Sequence, residues 1–161
     1  MQHNTDTLWN SVWGGGTVAA SYLFGGMDDL LLWLMIMMGI DYVTGIMAGI
    51  NDRKLSSKLA FKGLAKKTAM LLMVIVGNGV DYIVGSDTHV ARNAMILFLI
   101  GTEGISLIEN AGKLGVTVPA QISKVFAQLK DENEEKAASI VEVTTKTEIK
   151  QIEEEKKEGL K

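Results

Sequence analysis

Cysteine is absent from all 161 residues, which excludes disulfides and thiolate chemistry. Proline occurs once, at Pro119, against 17 glycines. That balance suits membrane helices, where glycine lets backbones approach closely. Histidine occurs only as His3 and His89, with no obvious ligand partners around either. Phosphate-cradling loops, nucleophile elbows and metal-binding pairs are missing too. Gly14-Gly15-Gly16 lacks the strand and lysine that a phosphate loop requires, and Glu153-Glu154-Glu155 reads as solvated charge. Neither an enzyme, a cofactor, a metal nor a nucleic-acid partner is expected. Lys and Arg are also missing before Arg53. The start therefore lacks the basic residues and small-residue cleavage site of a secretory signal, and no removable peptide is expected.

What is present divides into two unlike halves beneath a net charge of −3. Through Val118 the chain is apolar and glycine-rich; from Gln128 onward it is mostly Lys, Glu, Asp and Ala. Between two apolar stretches, Arg53, Lys54, Lys58, Lys62, Lys66 and Lys67 concentrate nearly every positive charge of the first hundred residues in one connector. A short basic loop between apolar helices is retained on the cytoplasmic face. These six residues therefore predict the topology: N-terminus outside, C-terminus in the cytoplasm.

Three spans are predicted, at about 30–50, 68–85 and 93–108, within a unit covering 28–118. Residues 1–27 form an outer segment, weakly apolar for a span. Trp9, Trp13 and Tyr22 suit the headgroup region, so the segment reads as an interfacial or re-entrant helix, or else as a loosely ordered tail. Asp28-Asp29 stand where a helix N-terminus favours negative charge. Ser56 or Ser57 could cap a short helix along the inner headgroups, with a solvated basic linker as the other reading. Residues 119–161 read as an amphipathic helix opened by Pro119, with Ile122, Val125, Phe126 and Leu129 on one face, then a charged cytoplasmic tail. The fold class is all-α and multi-pass.

Each predicted span carries one acid and no base: Asp41, Asp81 and Glu103. A charge at mid-bilayer costs about 2.5 kcal/mol or more, so each acid must face protein or water, or be protonated. Counting at about 1.5 Å per residue puts Asp41 and Glu103 roughly 15 Å deep, with Asp81 nearer the outer surface. They could line an aqueous lumen, hydrogen-bond between helices or form a proton path. The first two in combination fit a chain too short for a two-repeat transporter. Gly45 and Gly49 form a small-xxx-small pair suited to close helix packing.

Several stretches together resemble a known family. They are Tyr22-Leu23-Phe24-Gly25-Gly26, Asp41-Tyr42-Val43-Thr44-Gly45, Leu55-Ser56-Ser57, Lys58 to Lys67 with Gly63, Glu103 to Asn110, and Leu114 to Pro119. In this order they resemble the toxin-secretion and phage-lysis holin family over residues 14–130 or so. The resemblance implies a homo-oligomer in the bacterial host's cytoplasmic membrane that forms lesions. Through these an endolysin, a peptidoglycan hydrolase, or a toxin would leave. It carries over no catalytic residue. An antiholin-like regulator and a non-lytic channel or secretion-complex subunit remain as alternatives.

Overall fold

The computed structural model describes residues 3–158, with side chains from Gly14 onward apart from positions 144, 148, 151–155 and 158. The headgroup reading of Trp9 and Trp13 and the reading of Glu153 to Glu155 lie outside the described side chains. Five helices follow in order: α1 His3–Phe24, α2 Asp29–Asn51, α3 Ser57–Val84, α4 Val90–Lys113 and α5 Ala120–Glu158. Among the described residues there is no strand.

The ends of these helices follow from local chemistry. Gly25, at φ +70°, turns the chain left-handed after α1, and the Gly26 amide closes back on the Ser21 carbonyl at 2.8 Å. Only glycine adopts that φ without strain. Asp28 caps α2 by accepting from the Leu31 amide at 2.9 Å, and Ser56 caps α3 by accepting from the Leu59 amide at 3.3 Å. Each satisfies an amide that the first helical turn leaves without a partner. Between α2 and α3, the Lys54 and Leu55 amides both return to the Gly49 carbonyl, at 3.0 and 3.1 Å.

The basic stretch is accordingly not a loop. From Ser57 onward it forms the first turns of α3, a 28-residue helix continuous with the apolar run behind it. Among the described residues, two helices, α2 and α4, are long and apolar enough to cross a membrane. The mixed-charge run after Lys130 is also helical, part of a 39-residue α5.

α4 is the central element. Leu31, Leu34 and Met38 of α2, Met70 and Val74 of α3, and Ile96, Leu99 and Ile100 of α4 make the buried core. α2 contributes at spacings of three and four, one face of a helix. Its other faces leave Leu32, Trp33, Val43 and Ile50 half or more exposed. A wide apolar surface of this kind is suited to lipid or another apolar partner, not to water.

α5 packs back along α4. Phe126 and Leu129 touch the core, and Lys130 Nζ lies 5.9 Å from the centre of the Phe98 ring. Further on, Ser139 and Val143 lie beside Val84 and Val90. Ile122 and Val125 are exposed, so only half of the predicted apolar face, Phe126 and Leu129, is even partly buried. The buried register continues instead through Asn133, which donates to the Leu129 carbonyl at 2.7 Å.

Candidate functional site: two polar clamps on one helix

The polar residues of the bundle gather at two levels of α4. Arg92 anchors the first. It lies in the first turn of α4 with 1 % of its side chain exposed. Its guanidinium donates to both Asp28 carboxylate oxygens, at 2.7 and 3.1 Å, to the Gly26 carbonyl at 3.2 Å, and to the Phe24 carbonyl. One planar fork thus fastens the turn between α1 and α2 onto α4. The same hydrogen bond holds the Asp28 carboxyl below its usual range, against a smaller upward push from burial. Asn78 of α3 adds to the clamp by donating to the Tyr22 and Leu23 carbonyls at 3.2 and 3.1 Å.

Asp81 belongs to this level as well. His89, at φ 50°, holds the cap position of α4 but its side chain makes no capping bond. Asp81 takes over from the neighbouring helix, accepting from the Ala91 and Arg92 amides at 2.9 and 2.8 Å. A carboxylate at a helix N-terminus meets both free amides and the positive end of the helix dipole.

The second clamp is centred on Lys67. Its ammonium donates to Asp41 Oδ2 at 2.8 Å and to Glu103 Oε2 at 2.5 Å, joining α2, α3 and α4 at one nitrogen. Asn110 of α4 donates to the other Asp41 oxygen at 2.9 Å. Lysine and aspartate here are 13 % exposed and the glutamate 2 %. Asp41 and Glu103 therefore share a level, and the base that joins them, Lys67, stands one residue before the predicted second span. Lys67 belongs to a helix long enough to carry it inward, not to a loop. Along α4, Arg92 and Glu103 are separated by roughly 16 Å at the helical rise, with the apolar core between them.

The glycine pair lies inside this bundle. A side chain at Gly45 would meet Asn110 Nδ2 at 3.4 Å, and one at Gly49 would meet Leu55 Cδ1 at 3.4 Å. Both distances are ordinary contacts with the chain's own residues. Tighter approaches occur elsewhere. Gly77 lies against the α4 backbone, where a Cβ would stand 3.1 Å from Arg92 Cα, and Gly104 lies against the Phe126 ring.

Among the six residues on which the expected topology rests, Lys58 and Lys62 are exposed on α3, and Arg53 forms the left-handed turn at φ 55°. Lys54, Lys66 and Lys67 border a cavity of about 380 Å³ that also reaches Lys113 and Ser106. The Arg92 clamp was missed by sequence reasoning. Its signal was there: Arg92 is the only Lys or Arg between Lys67 and Lys113, in a stretch holding Asp81 and Asp87.

Charged groups paired between helices, among them two helices long and apolar enough to cross a membrane, fit a helical membrane protein. The chain belongs to the bacteriophage holin family, which matches residues 18–131. It is similar to a probable holin of Bacillus phage phi105, 34% identical over 119 residues, covering 74% of this chain and 87% of the relative. An uncharacterized protein of Listeria monocytogenes is 37% identical over 118 residues, 71% of this chain and 84% of the relative. An uncharacterized protein of Clostridium perfringens is 31% identical over 109 residues, 68% of this chain and 83% of the relative. No solved structure matches. The holin family acts on membranes and not as enzymes.

Proposed function

We propose that this chain is a lytic holin. It would oligomerise in the host's cytoplasmic membrane and form lesions that release an endolysin. α2, the apolar part of α3 and α4 would be the three spans, with the N-terminus outside and the C-terminus in the cytoplasm. α1 would lie at the outer interface. The observation that carries this reading is the Lys67–Asp41–Glu103 clamp, buried among helices whose outer faces are apolar. A charged group within a membrane segment is costly, and it points to function when paired at a helix interface.

Asp41 and Glu103 enter this reading as partners of Lys67, not as two lone like charges. While the clamp is closed, the bundle hides its charge. Separation of α3 from α2 and α4 would expose three charged groups to whatever lies between the helices. That exposure would favour a water-filled lumen over lipid. α5 would leave α4 as the spans insert, because its exposed Lys and Glu residues cannot accompany α4 through hydrocarbon. The Gly101 and Gly104 face beneath Phe126 would then be open to another helix.

Controlled expression of the chain alone in a bacterium tests the reading. Abrupt loss of membrane potential and viability after a delay is the expected outcome. Co-expression with a peptidoglycan hydrolase should add rapid lysis. Slow growth without depolarisation would overturn the lytic reading in favour of an antiholin-like or non-lytic role.

A further inference from the structure

α2 and α3 diverge below the Lys67 clamp and make little contact with each other, leaving the cavity of about 380 Å³ between them and α4. Its deep end is the Asp41–Lys67 pair, and its other end lies at Asp52, Lys54 and Lys113, where α2 and α4 finish. Asn51 Nδ2 donates to the Lys113 carbonyl at 3.1 Å, which holds these two ends together. Among the described residues, Lys54, Lys66 and Lys113 take part in no ion pair. Three exposed lysines outside any ion pair therefore line one cavity together with Asp52, while Asp41 is already held by Lys67 and Asn110. Ser106 adds a hydroxyl, and Tyr42 and Leu59 give the cavity an apolar wall.

We infer that this cleft binds a phosphate ester, and that its natural form is the headgroup of an anionic phospholipid of the inner leaflet. Lysine is a strong point-charge partner for phosphate. Basic pockets between membrane helices on the cytoplasmic side take anionic headgroups. The cavity is within the size range of small-molecule sites. An apolar wall at one side gives the glycerol and upper acyl chain a place that a free phosphate would not use. The lipid source rests on the proposed topology, since only then does the cleft open at the inner leaflet; the phosphate chemistry does not.

Full-length protein in neutral detergent tests this by native mass spectrometry. Phosphatidylglycerol, phosphatidylcholine, glycerol phosphate and inorganic phosphate would be titrated separately. The triple variant Lys54→Gln/Lys66→Gln/Lys113→Gln would be compared with Lys58→Gln/Lys62→Gln/Lys124→Gln, which removes the same charge outside the cleft. Phosphatidylglycerol should bind about tenfold or more tighter than phosphatidylcholine, and only the cleft variant should lose that preference. Binding of glycerol phosphate or inorganic phosphate without lipid preference, still lost in the cleft variant, keeps the site and assigns it a soluble ligand. Equal binding of both lipids with no phosphate bound, or equal loss in both variants, overturns the site. Lys113→Glu alone, with helicity checked by circular dichroism, gives a second reading should the triple variant fold poorly. None of these measurements depends on lysis, so a failed holin reading and a failed binding site are distinguishable.

Discussion

Lys67 decides more than any other single residue. Its removal leaves two carboxylates buried without a cation, and breaking a buried ion pair from one side costs about 3–5 kcal/mol. Lys67→Met should therefore lower the thermal midpoint of the detergent-solubilised protein substantially. Adding Asp41→Asn and Glu103→Gln should restore most of the loss. Circular dichroism melts of the single and triple variants check this; a triple variant no more stable than the single one would remove the charge argument. Asp28 yields a pH prediction. Its carboxyl is held low chiefly by the Arg92 hydrogen bond. That interaction stabilises the fold fully above the usual carboxylate range and is lost as pH falls through the lower value of the folded state. Acid titration below about pH 4 should loosen the α1–α2 turn, and Asp28→Asn should flatten that dependence. Capping residues such as Asp28 and Ser56 could be read from the sequence because their partners lie three residues away. The partners of Lys67 lie 26 and 36 residues away, and no local pattern announces them.

At the scale of the helices, glycine sorts by what stands opposite it. Gly77 and Gly79 are two residues apart on α3. A Cβ at Gly77 presses on the Arg92 backbone at 3.1 Å, whereas one at Gly79 meets nothing within 4 Å. Gly77→Ala should destabilise by about 1–3 kcal/mol through overpacking. Gly79→Ala should stabilise by up to about 1 kcal/mol through helix propensity. Opposite shifts in melting temperature are the expected result. The apolar cores of α2 and α4 were legible from length and composition alone. The start of α3 was not, because lysines that promise a cytoplasmic loop are equally good helix formers. The register of α5 was obscured for another reason: Asn133 and Lys130 pack where the pattern of apolar residues had run out.

For the whole molecule, α5 poses the sharpest question, since its long charged surface is matched to water while α4, on which it packs, is long and apolar enough to cross a membrane. Because the chain has no cysteine, a pair introduced at Phe98 and Lys130 reports their proximity without interference. A short thiol cross-linker should join Phe98→Cys to Lys130→Cys within one chain when α5 is docked. The yield should fall sharply once the protein is in bacterial membranes. Undiminished intramolecular cross-linking there would mean that α5 stays on α4, and the three-span arrangement would have to be redrawn.

The unequal burial of α2 and α4 sets how each can drift over evolutionary time. On α2, Trp33, Val43 and Ile50 face outward and are held to nothing more specific than being apolar. Leu, Ile, Val, Met and Phe should interchange there almost silently. On α4, Ile96, Glu103 and Gly104 each answer to a different neighbour, and a change at one demands a change elsewhere. A pool of random variants sorted for activity should therefore come back diverse along the outer face of α2 and nearly uniform along α4.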